Sequence, residues 1–170
     1  MSVPALKIAG VEISLNEFPA QQGYKDIGGL SLWRMANGAA LAQQHWRKLS
    51  VSISGNGWSP PALKGIDWSA PVVISCIAPR SVASATVNAT LPAARRSDTA
   101  PYAMALVDGK LVTTAMSLAG DTATATTVSG ASGYRFFYYP QISCYALNGV
   151  VEALDTAGAA FSWSIEAEEI

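Results

Sequence analysis

The sequence predicts an all-β fold: a single-domain antiparallel β-sandwich or barrel that is built from hairpins and contains at most one short helix. Three observations support this prediction. Apolar and polar residues alternate over several short segments, as in strands with one buried face. Asn-Gly and Asp-Gly pairs stand between such segments, where they favour two-residue hairpin turns. No internal repeat, heptad pattern or linker interrupts the 170 residues, so one domain over residues 1–170 is the simplest organisation.

The composition is unusually poor in charge. Charged residues make up 14% of the chain and hydrophobic residues 50%, whereas an average soluble domain has roughly 25% charged residues. A weakly charged surface is typical of a subunit that is largely covered by its neighbours in an assembly. The net charge of −1, without a basic stripe, argues against sequence-specific nucleic-acid binding. No apolar run is long enough to span a membrane, and the N-terminal residues lack the pattern of a signal peptide.

The first part of the chain predicts one strand and one loop. Residues 6–15 alternate weakly and predict a strand that is bent at Gly10. Glu17 to Gly29 contains Pro19 and several glycines, and it predicts a loop.

The stretch from Leu30 to Trp68 contains four of the five tryptophans and the only histidine. Asn37-Gly38 predicts a type I′ hairpin turn with Trp33 opposite Ala42 and Arg34 opposite Leu41. The alternative is a helix that is capped by Asn37 and presents one apolar face, formed by Ala39, Ala42, Trp46 and Leu49.

A long strand follows the predicted hairpin. Its apolar face consists of Leu49, Val51 and Ile53, which alternate with serines. Gly55 and Gly57 are expected to end this strand, and the segment from Trp58 to Trp68 predicts a loop that is stiffened by Pro60-Pro61.

A second hairpin is predicted from Tyr102 to Ala115. Its turn is Asp108-Gly109, which again favours the type I′ conformation. This turn places Val107 opposite Lys110 and Leu106 opposite Leu111.

The other predicted elements lie on either side of that second hairpin. Before it come strands over Val72–Ile77 and Val82–Leu91 and an exposed, charged loop that contains Arg95, Arg96 and Asp98. After it, Gly120–Gly133 predicts an edge strand or a mobile loop, with Thr122, Thr124 and Thr126 alternating with alanines. The later predictions are strands over Tyr134–Tyr139 and Ile142–Tyr145, a third two-residue turn at Asn148-Gly149, and a final strand with Phe161, Trp163, Ile165 and Ala167 on its buried face.

The residues that usually carry chemistry do not form a recognisable site. His45 stands beside Trp46 and Arg47 without a nucleophile motif, and we expect a polar surface or interface role for it. Cys76 and Cys144 lie in apolar segments and are expected to be buried thiols rather than a disulfide. No metal-ligand spacing and no phosphate loop is present, and five aspartates lie in turn-like contexts: Asp67, Asp98, Asp108, Asp121 and Asp155. We therefore predict no catalytic, cofactor-binding or metal-binding residues and no enzymatic activity.

Two groups of residues have alternative interpretations. Trp46, Trp58 and Trp68 are expected to be core or interface anchors, although three exposed indoles could also form a sugar-stacking platform. The acidic end, with Glu166, Glu168 and Glu169, is expected to be solvated, and in a channel that carries DNA it would keep the DNA from adhering.

Four segments resemble small structural proteins from the tails of long-tailed bacteriophages: HWRKLSVSISGNGWSPPALKGIDW, VVISC, APR and FSWSIEAEE. In those proteins a strand that ends in Ser-Gly-x-Gly leads to a Pro-Pro loop and an Asp-Trp pair. The resemblance covers mainly residues 30–80 and 134–169, and its motifs are structural.

The resemblance implies a virion structural protein, most simply a distal tail or baseplate ring subunit that joins the tail tube to the tip. Its partners would be copies of itself in a ring, commonly a hexamer, together with the tube and hub proteins of the tail. DNA would pass through the lumen, and no membrane would be bound. The protein would be assembled in the host cytoplasm and located in the virion.

The same resemblance leaves a tail tube subunit or a head decoration protein as alternatives, and a carbohydrate-binding β-sandwich module is the alternative from another functional class. Because the chain has no room for the second, carbohydrate-binding domain of longer distal tail proteins, we do not expect receptor binding. Long hairpins such as those around Gly38 and Gly109 could pair strand edges across subunits.

Overall fold

The computed structural model describes residues 3–14 and 20–170, which form sixteen β-strands and no helix. The predicted all-β fold class is therefore confirmed, although several sheets are present. In chain order the strands are β1 Lys7–Ile8, β2 Val11–Glu12, β3 Ala20–Ile27, β4 Leu30–Arg34, β5 Ala40–Gln44, β6 Lys48–Gly57, β7 Val72–Ser75, β8 Arg80–Ser84, β9 Asn88–Thr90, β10 Tyr102–Val107, β11 Lys110–Thr114, β12 Met116–Ala119, β13 Thr122–Ala125, β14 Ala131–Tyr138, β15 Gln141–Asp155 and β16 Ala160–Glu169.

The described residues divide into two compact units. Unit 1 consists of Ser75–Ile142 with the residues up to Leu6, and unit 2 consists of Lys7–Ile74 and Ser143–Ile170. A single domain can contain two compact units, so one domain over residues 1–170 stays a prediction.

Unit 1 contains a four-stranded sheet in the order β11-β10-β14-β8 and a three-stranded sheet in the order β12-β13-β9. Both sheets contribute to one buried core. The core residues on β10 and β13 are alanines, and those on β14 are aromatic, so large rings lie against small side chains. The buried core consists of Leu91, Ala103, Ala105, Ala123, Ala125, Tyr134, Phe136 and Tyr138. This pairing of large with small side chains is how two sheets interdigitate.

Unit 2 is built on a seven-stranded sheet in the order β2-β1-β7-β15-β16-β6-β3, to which the separate β4–β5 ribbon is added. Ser75 at the end of β7 and the first two residues of β15 are counted with unit 1. β6 pairs antiparallel with β16 on one side and with β3 on the other. Phe161 at the start of β16 is half-buried, while six residues of the predicted apolar faces of β6 and β16 are buried: Leu49, Val51, Ile53, Trp163, Ile165 and Ala167.

Gly55 and Gly57 do not end the long strand as predicted, because β6 continues through both residues to Gly57. The physical reason lies in the neighbouring strand. Gly55 is opposite Trp163 in the register, and a Cβ atom at position 55 would lie 2.5 Å from the indole ring. The glycine therefore makes room for the buried tryptophan within the sheet.

Two of the turns are two-residue hairpins with positive φ at both central positions, as type I′ requires. The β10–β11 hairpin is confirmed with its register: Asp108 and Gly109 have φ of 49° and 75°, and Leu106 pairs with Leu111. The prediction of one bent N-terminal strand was wrong, because Ala9 and Gly10, with φ of 50° and 83°, reverse the chain and pair β1 with β2. Leu15, its last predicted residue, lies outside the described residues.

The hairpin at Asn37-Gly38 is confirmed, and the helix alternative is wrong. The predicted register is also wrong by one residue, since Trp33 pairs with Leu41 and Arg34 with Ala40. Of the turn residues only Gly38 has a positive φ, of 81°, and its amide donates to the Met35 carbonyl oxygen at 2.8 Å. The loop thus has three residues, a type I turn followed by a left-handed glycine, which shifts the pairing.

The predicted loop over Glu17–Gly29 was wrong for Ala20–Ile27, which forms β3, while Glu17–Pro19 lie outside the described residues. The segment AQQGYKDI has no apolar alternation, and it becomes a strand because its backbone pairs with β6 from Ala20–Gly55 to Ile27–Lys48. Gly23 lies opposite Ser52, where a Cβ atom would come within 3.0 Å of the serine Oγ.

Two predictions in unit 1 needed correction. The single strand predicted over Val82–Leu91 is two strands, because the Thr86 amide donates to Ser84 Oγ at 3.1 Å and Ser84 Oγ donates to the Asn88 carbonyl oxygen at 2.7 Å. These local bonds form a turn between β8 and β9. The threonine-rich strand is not at an edge, since β13 is the centre of its sheet and pairs with both β12 and β9.

The third predicted turn, Asn148-Gly149, is wrong because these residues lie inside β15. The pairing with β16 shifts between Ala146–Ala167 and Val150–Ile165, so three residues of β15 oppose one of β16. Gly149 has a φ of 67°, and a Cβ atom there would lie 3.3 Å from the Trp68 indole. The Asn-Gly pair therefore produces a bulge in a continuing strand.

Replacing Gly55 with alanine should destabilise the protein by about 1–3 kcal/mol, because the added methyl overlaps the buried Trp163 ring. Gly65→Ala is the matched control, since a Cβ atom at position 65 meets nothing within 4 Å, and its effect should stay within about 0.5 kcal/mol. Urea unfolding of the three proteins measures the difference. An unchanged midpoint for Gly55→Ala would show that Trp163 does not occupy this position.

Burial raises the pKa of the Tyr138 phenol above its ordinary value. The unfolded chain therefore loses this proton first, and the stability contribution is fully present below about pH 10 and is lost as the pH rises through the folded-state pKa. We expect Tyr138→Phe to reduce the late part of the alkaline phenolate absorbance titration and to reduce the fall in stability with rising pH. The wild type, titrated under the same conditions, is the reference, and an unchanged late part in Tyr138→Phe would contradict the raised pKa of Tyr138.

Candidate functional site

The most unusual surface in unit 2 is the ribbon formed by β4 and β5, which we call the hairpin arm (residues 28–47). It exposes six large apolar side chains to more than half of their full area: Leu30, Leu32, Trp33, Met35, Leu41 and Trp46. Trp33 and Leu41 are paired and share one face of the ribbon, whereas Leu30 and Leu32 lie on the other face. Neither face of the arm is therefore buried by the rest of residues 3–14 and 20–170.

The base of the hairpin arm is held by close contacts. A Cβ atom at Gly29 would lie 2.7 Å from Trp46 Nε1, and one at Gly28 would lie 2.3 Å from the Trp46 carbonyl oxygen. The His45 amide donates to the Gly29 carbonyl oxygen at 2.9 Å. Glycines at the entrance thus let the two ends of the arm approach each other.

The hairpin arm carries positive charge and no carboxylate. Its charged residues are Arg34 and Arg47. Arg47 Nη2 donates to Asp26 Oδ2 at 2.7 Å, and this bond raises the pKa of the Arg47 guanidinium. Arg34 Nη1 donates to the Gly38 carbonyl oxygen at 3.2 Å and has no carboxylate among its described contacts.

A second exposed apolar surface lies where β15 turns into β16, and we call it the acidic tip (residues 147–159). Leu147, Val151 and Leu154 are 53%, 56% and 52% exposed. Glu152 and Asp155 are also exposed, and no lysine or arginine follows Arg135 in the sequence.

The hairpin arm and the turn of the acidic tip lie at opposite ends of the same sheet. The arm leaves the sheet where β3 ends and β6 begins, at the Ile27–Lys48 pair. The strand residues of the tip run beside β16, with Val151 opposite Ser164 and Leu154 opposite Phe161, and only the turn after Asp155 lies beyond the other end of β6, where Gly57 pairs with Phe161. The ten residues of β6, from Lys48 to Gly57, correspond to about 30 Å of extended strand.

The outer face of the sheet carries a shallow polar groove of about 520 Å³. Its rows follow the strand register, with Gln21, Ser54, Ser164 and Val151 in one row and Asn56, Ser162 and Ala153 in the next, so its side on β15 is apolar. The groove offers hydroxyl and amide groups without a titratable side chain.

Two of the tryptophans that were considered for sugar stacking, Trp58 and Trp68, follow the groove residue Asn56 in the sequence. Trp58, just beyond Asn56, is 69% exposed, whereas Trp68 is half-buried. With Trp46 at the base of the hairpin arm, the three indoles are spread over different parts of unit 2. Only Trp58 therefore stands close in sequence to the polar groove.

The predicted exposed loop with Arg95, Arg96 and Asp98 was wrong for Arg96, which is 4% exposed. Its Nε and Nη2 donate to the two carboxylate oxygens of Asp98, each at 2.8 Å. Its Nη1 donates to the carbonyl oxygens of Ala5, Ser75 and Cys76. Arg96 is thus a structural clamp within unit 1, buried because every charge-bearing nitrogen finds an acceptor.

The aspartates have structural contacts. Asp67 accepts bonds from the side chain and amide of Ser69, which lower the pKa of its carboxyl, and Asp155 accepts from the Ala157 amide at 3.0 Å. The turn roles predicted for these two aspartates are therefore confirmed. Asp121 lies in the turn between β12 and β13, as predicted, and also binds Arg95 at 2.8 Å.

The two cysteines are buried, as predicted, and no disulfide joins them. His45 is exposed. Among the described residues no group of three or more His, Cys, Asp or Glu side chains is placed to hold a metal ion. No helix of sufficient length and hydropathy to cross a membrane occurs in the described part of the chain.

At the acidic end, the Glu169 carboxylate accepts the Leu49 amide at 2.9 Å, and Lys48 Nζ donates to the carbonyl oxygen of Ile170. Of the three glutamates that were expected to be solvated, Glu166 is exposed, whereas Glu168 and Glu169 are half-buried.

Sequence reasoning identified the hairpin at Gly38 as a possible subunit contact but missed the acidic tip. The available signal was the segment Val150–Asp155, in which apolar residues stand beside two acids and no cation. A scan against protein-family models gives no match, and a search of curated proteins finds no similar sequence.

Replacing Arg96 with methionine should cost about 3–5 kcal/mol of stability, because three carbonyl oxygens and the Asp98 carboxylate lose their donor. Asp98→Asn should cost about 1 kcal/mol or less, since Asp98 is 44% exposed and the carbonyl bonds of Arg96 remain. Arg135→Met is the control at an exposed arginine of β14 and should change stability by less than about 0.5 kcal/mol. Equal losses for Arg96→Met and Arg135→Met, measured by chemical unfolding, would contradict the buried clamp.

Proposed function

We propose that the protein is a virion structural protein of a tailed bacteriophage tail, a non-enzymatic distal tail or baseplate ring subunit between the tail tube and the tip. The observation that carries the proposal is the hairpin arm, whose apolar residues are exposed on both faces. A two-stranded ribbon is marginally stable by itself, and exposed apolar patches mark interaction surfaces. Burial against neighbouring subunits would stabilise the arm.

The low charge content supports the same proposal. With 14% charged residues, the chain covers little of its surface with the ions that keep monomers apart in solution. The all-β fold agrees with what the resemblance to tail proteins implies. Ring assembly uses heterologous contacts that close by rotation, and each subunit must then offer two different surfaces.

Alternative functions use the same surfaces in other ways. A tail tube subunit or a head decoration protein would also form rings or lattices from exposed apolar ribbons. A carbohydrate-binding module is favoured by one specific observation, the polar groove, whose lining residue Asn56 is followed two positions later by the exposed Trp58. That function would require sugar-dependent quenching of tryptophan fluorescence, which a purely structural subunit does not show.

Mass photometry and electron microscopy of the purified protein test the assembly. We expect closed rings with a central lumen, and a hexamer would have six times the mass of one chain. Neighbouring genes that encode tube, tape-measure and hub proteins would support the position in a tail. A strict monomer at high concentration, or a gene neighbourhood without tail genes, would contradict the proposal.

A further inference from the structure

We propose that the hairpin arm of one copy docks on the acidic tip of the next copy, so that the chain joins to itself head to tail. This inference rests on the proposed function, because it names the two surfaces through which the ring subunits would meet. The partner is a second copy of this chain, and the reasons are the matching apolar character, opposite charge and open strand edges of the two surfaces.

The apolar character matches on both sides. The arm exposes Trp33 and Leu41 on one face and Leu32 on the other, and the tip exposes Val151 and Leu154 on opposite faces of β15. If a strand of the arm lies beside β15, apolar side chains meet on both faces of the joint. An indole that packs against aliphatic side chains has the composition of an interface hot spot.

The charges are complementary. The arm presents the Arg34 guanidinium and contains no carboxylate, whereas the tip presents Glu152 and Asp155 and contains no cation. Like charges therefore oppose arm-to-arm and tip-to-tip contacts, and opposite charges favour arm-to-tip contacts. This difference selects a heterologous contact over a two-fold symmetric one.

Both surfaces also have open strand edges. The ribbon has only two strands, so the outer edges of β4 and β5 are unpaired among the described residues. β7 has four residues and lies beside the start of β15, where the Cys144 thiol donates to the Val72 carbonyl oxygen. The described residues place no strand on the outer edge of Val151–Asp155, so a strand of the arm could pair there.

The positions of the two surfaces suit continued addition of subunits. The arm leaves the sheet at the start of β6, whereas the tip residues Val151–Asp155 lie on β15, on the far side of β16 and beside the second half of β6, so a copy that is bound through its arm keeps its tip available. Each added copy then offers the same surface as the previous one. Such a contact closes into a ring when the rotation between neighbouring copies divides a full turn.

The test uses two full-length variants. The arm variant combines Trp33→Asp with Leu41→Asp, and the tip variant combines Val151→Asp with Leu154→Asp. Each variant alone should be monomeric, with self-association weakened by at least about thirtyfold. An equimolar mixture should form a dimer and nothing larger, because one intact arm meets one intact tip. Leu118→Asp, at a residue of β12 that is 40% exposed and lies outside both hairpins considered for subunit contacts, is the matched control and should assemble like the wild type.

A charge exchange provides the second test if the apolar variants fold poorly. Arg34→Glu and the double variant Glu152→Arg with Asp155→Arg should each assemble weakly alone. Their mixture should restore full assemblies of alternating chains, because every arm then faces a tip of opposite charge.

The outcomes separate this inference from the proposed function. If the wild type forms rings and both the arm and tip variants still do, the arm-to-tip contact is wrong while the ring proposal stands. Arm and tip variants that remain monomeric when mixed would also overturn the contact. A monomeric wild type would contradict the ring itself.

Discussion

The pairing of β6 with β16 is the constraint on which the rest of unit 2 depends. Its register runs from Phe161–Gly57 to Glu168–Ser50 and aligns the apolar faces of both strands on one side of the sheet. A shift by one residue would turn these faces to solvent and would place a side chain against Trp163, where only Gly55 leaves room. β3 and β15 add to the two outer sides of this pair, so its register also positions the arm and the tip.

The exposed surfaces follow from the lengths of the strands. β15 has fifteen residues and its neighbour β7 only four, so the second half of β15 is paired on one side, with β16, and no strand of the described residues lies on its other side. The arm is an excursion between β3 and β6 that joins no other sheet among the described residues. Backbone hydrogen bonds can form a ribbon without burying its side chains, and both segments therefore remain apolar and exposed.

Sequence patterns predicted the parts that local chemistry controls. Alternation placed β6 and β16 with the correct buried faces, and Asp108-Gly109 predicted both the turn type and the register of its hairpin. The same reasoning failed where pairing partners decide. β3 has no apolar alternation and is a strand because its backbone pairs with β6. Arg96 is buried because carbonyl oxygens from distant segments accept its hydrogen bonds. The Asn-Gly pair at Gly149 forms a bulge because β15 remains paired with β16 on both sides of it.

By itself, the sequence determined the fold class, the low charge content and the faces of the strongest strands, since each of these depends on composition or on a period of two residues. Only the tertiary structure decided which apolar residues remain outside. Trp33 and Trp163 look equally suited to a core in the sequence, yet the first is 63% exposed and the second 2%. The difference arises because the strand of Trp163 pairs with a strand on each side, whereas among the described residues the strand of Trp33 pairs only with β5. Burial is a property of the neighbours that a strand acquires, and these are set by long-range pairing.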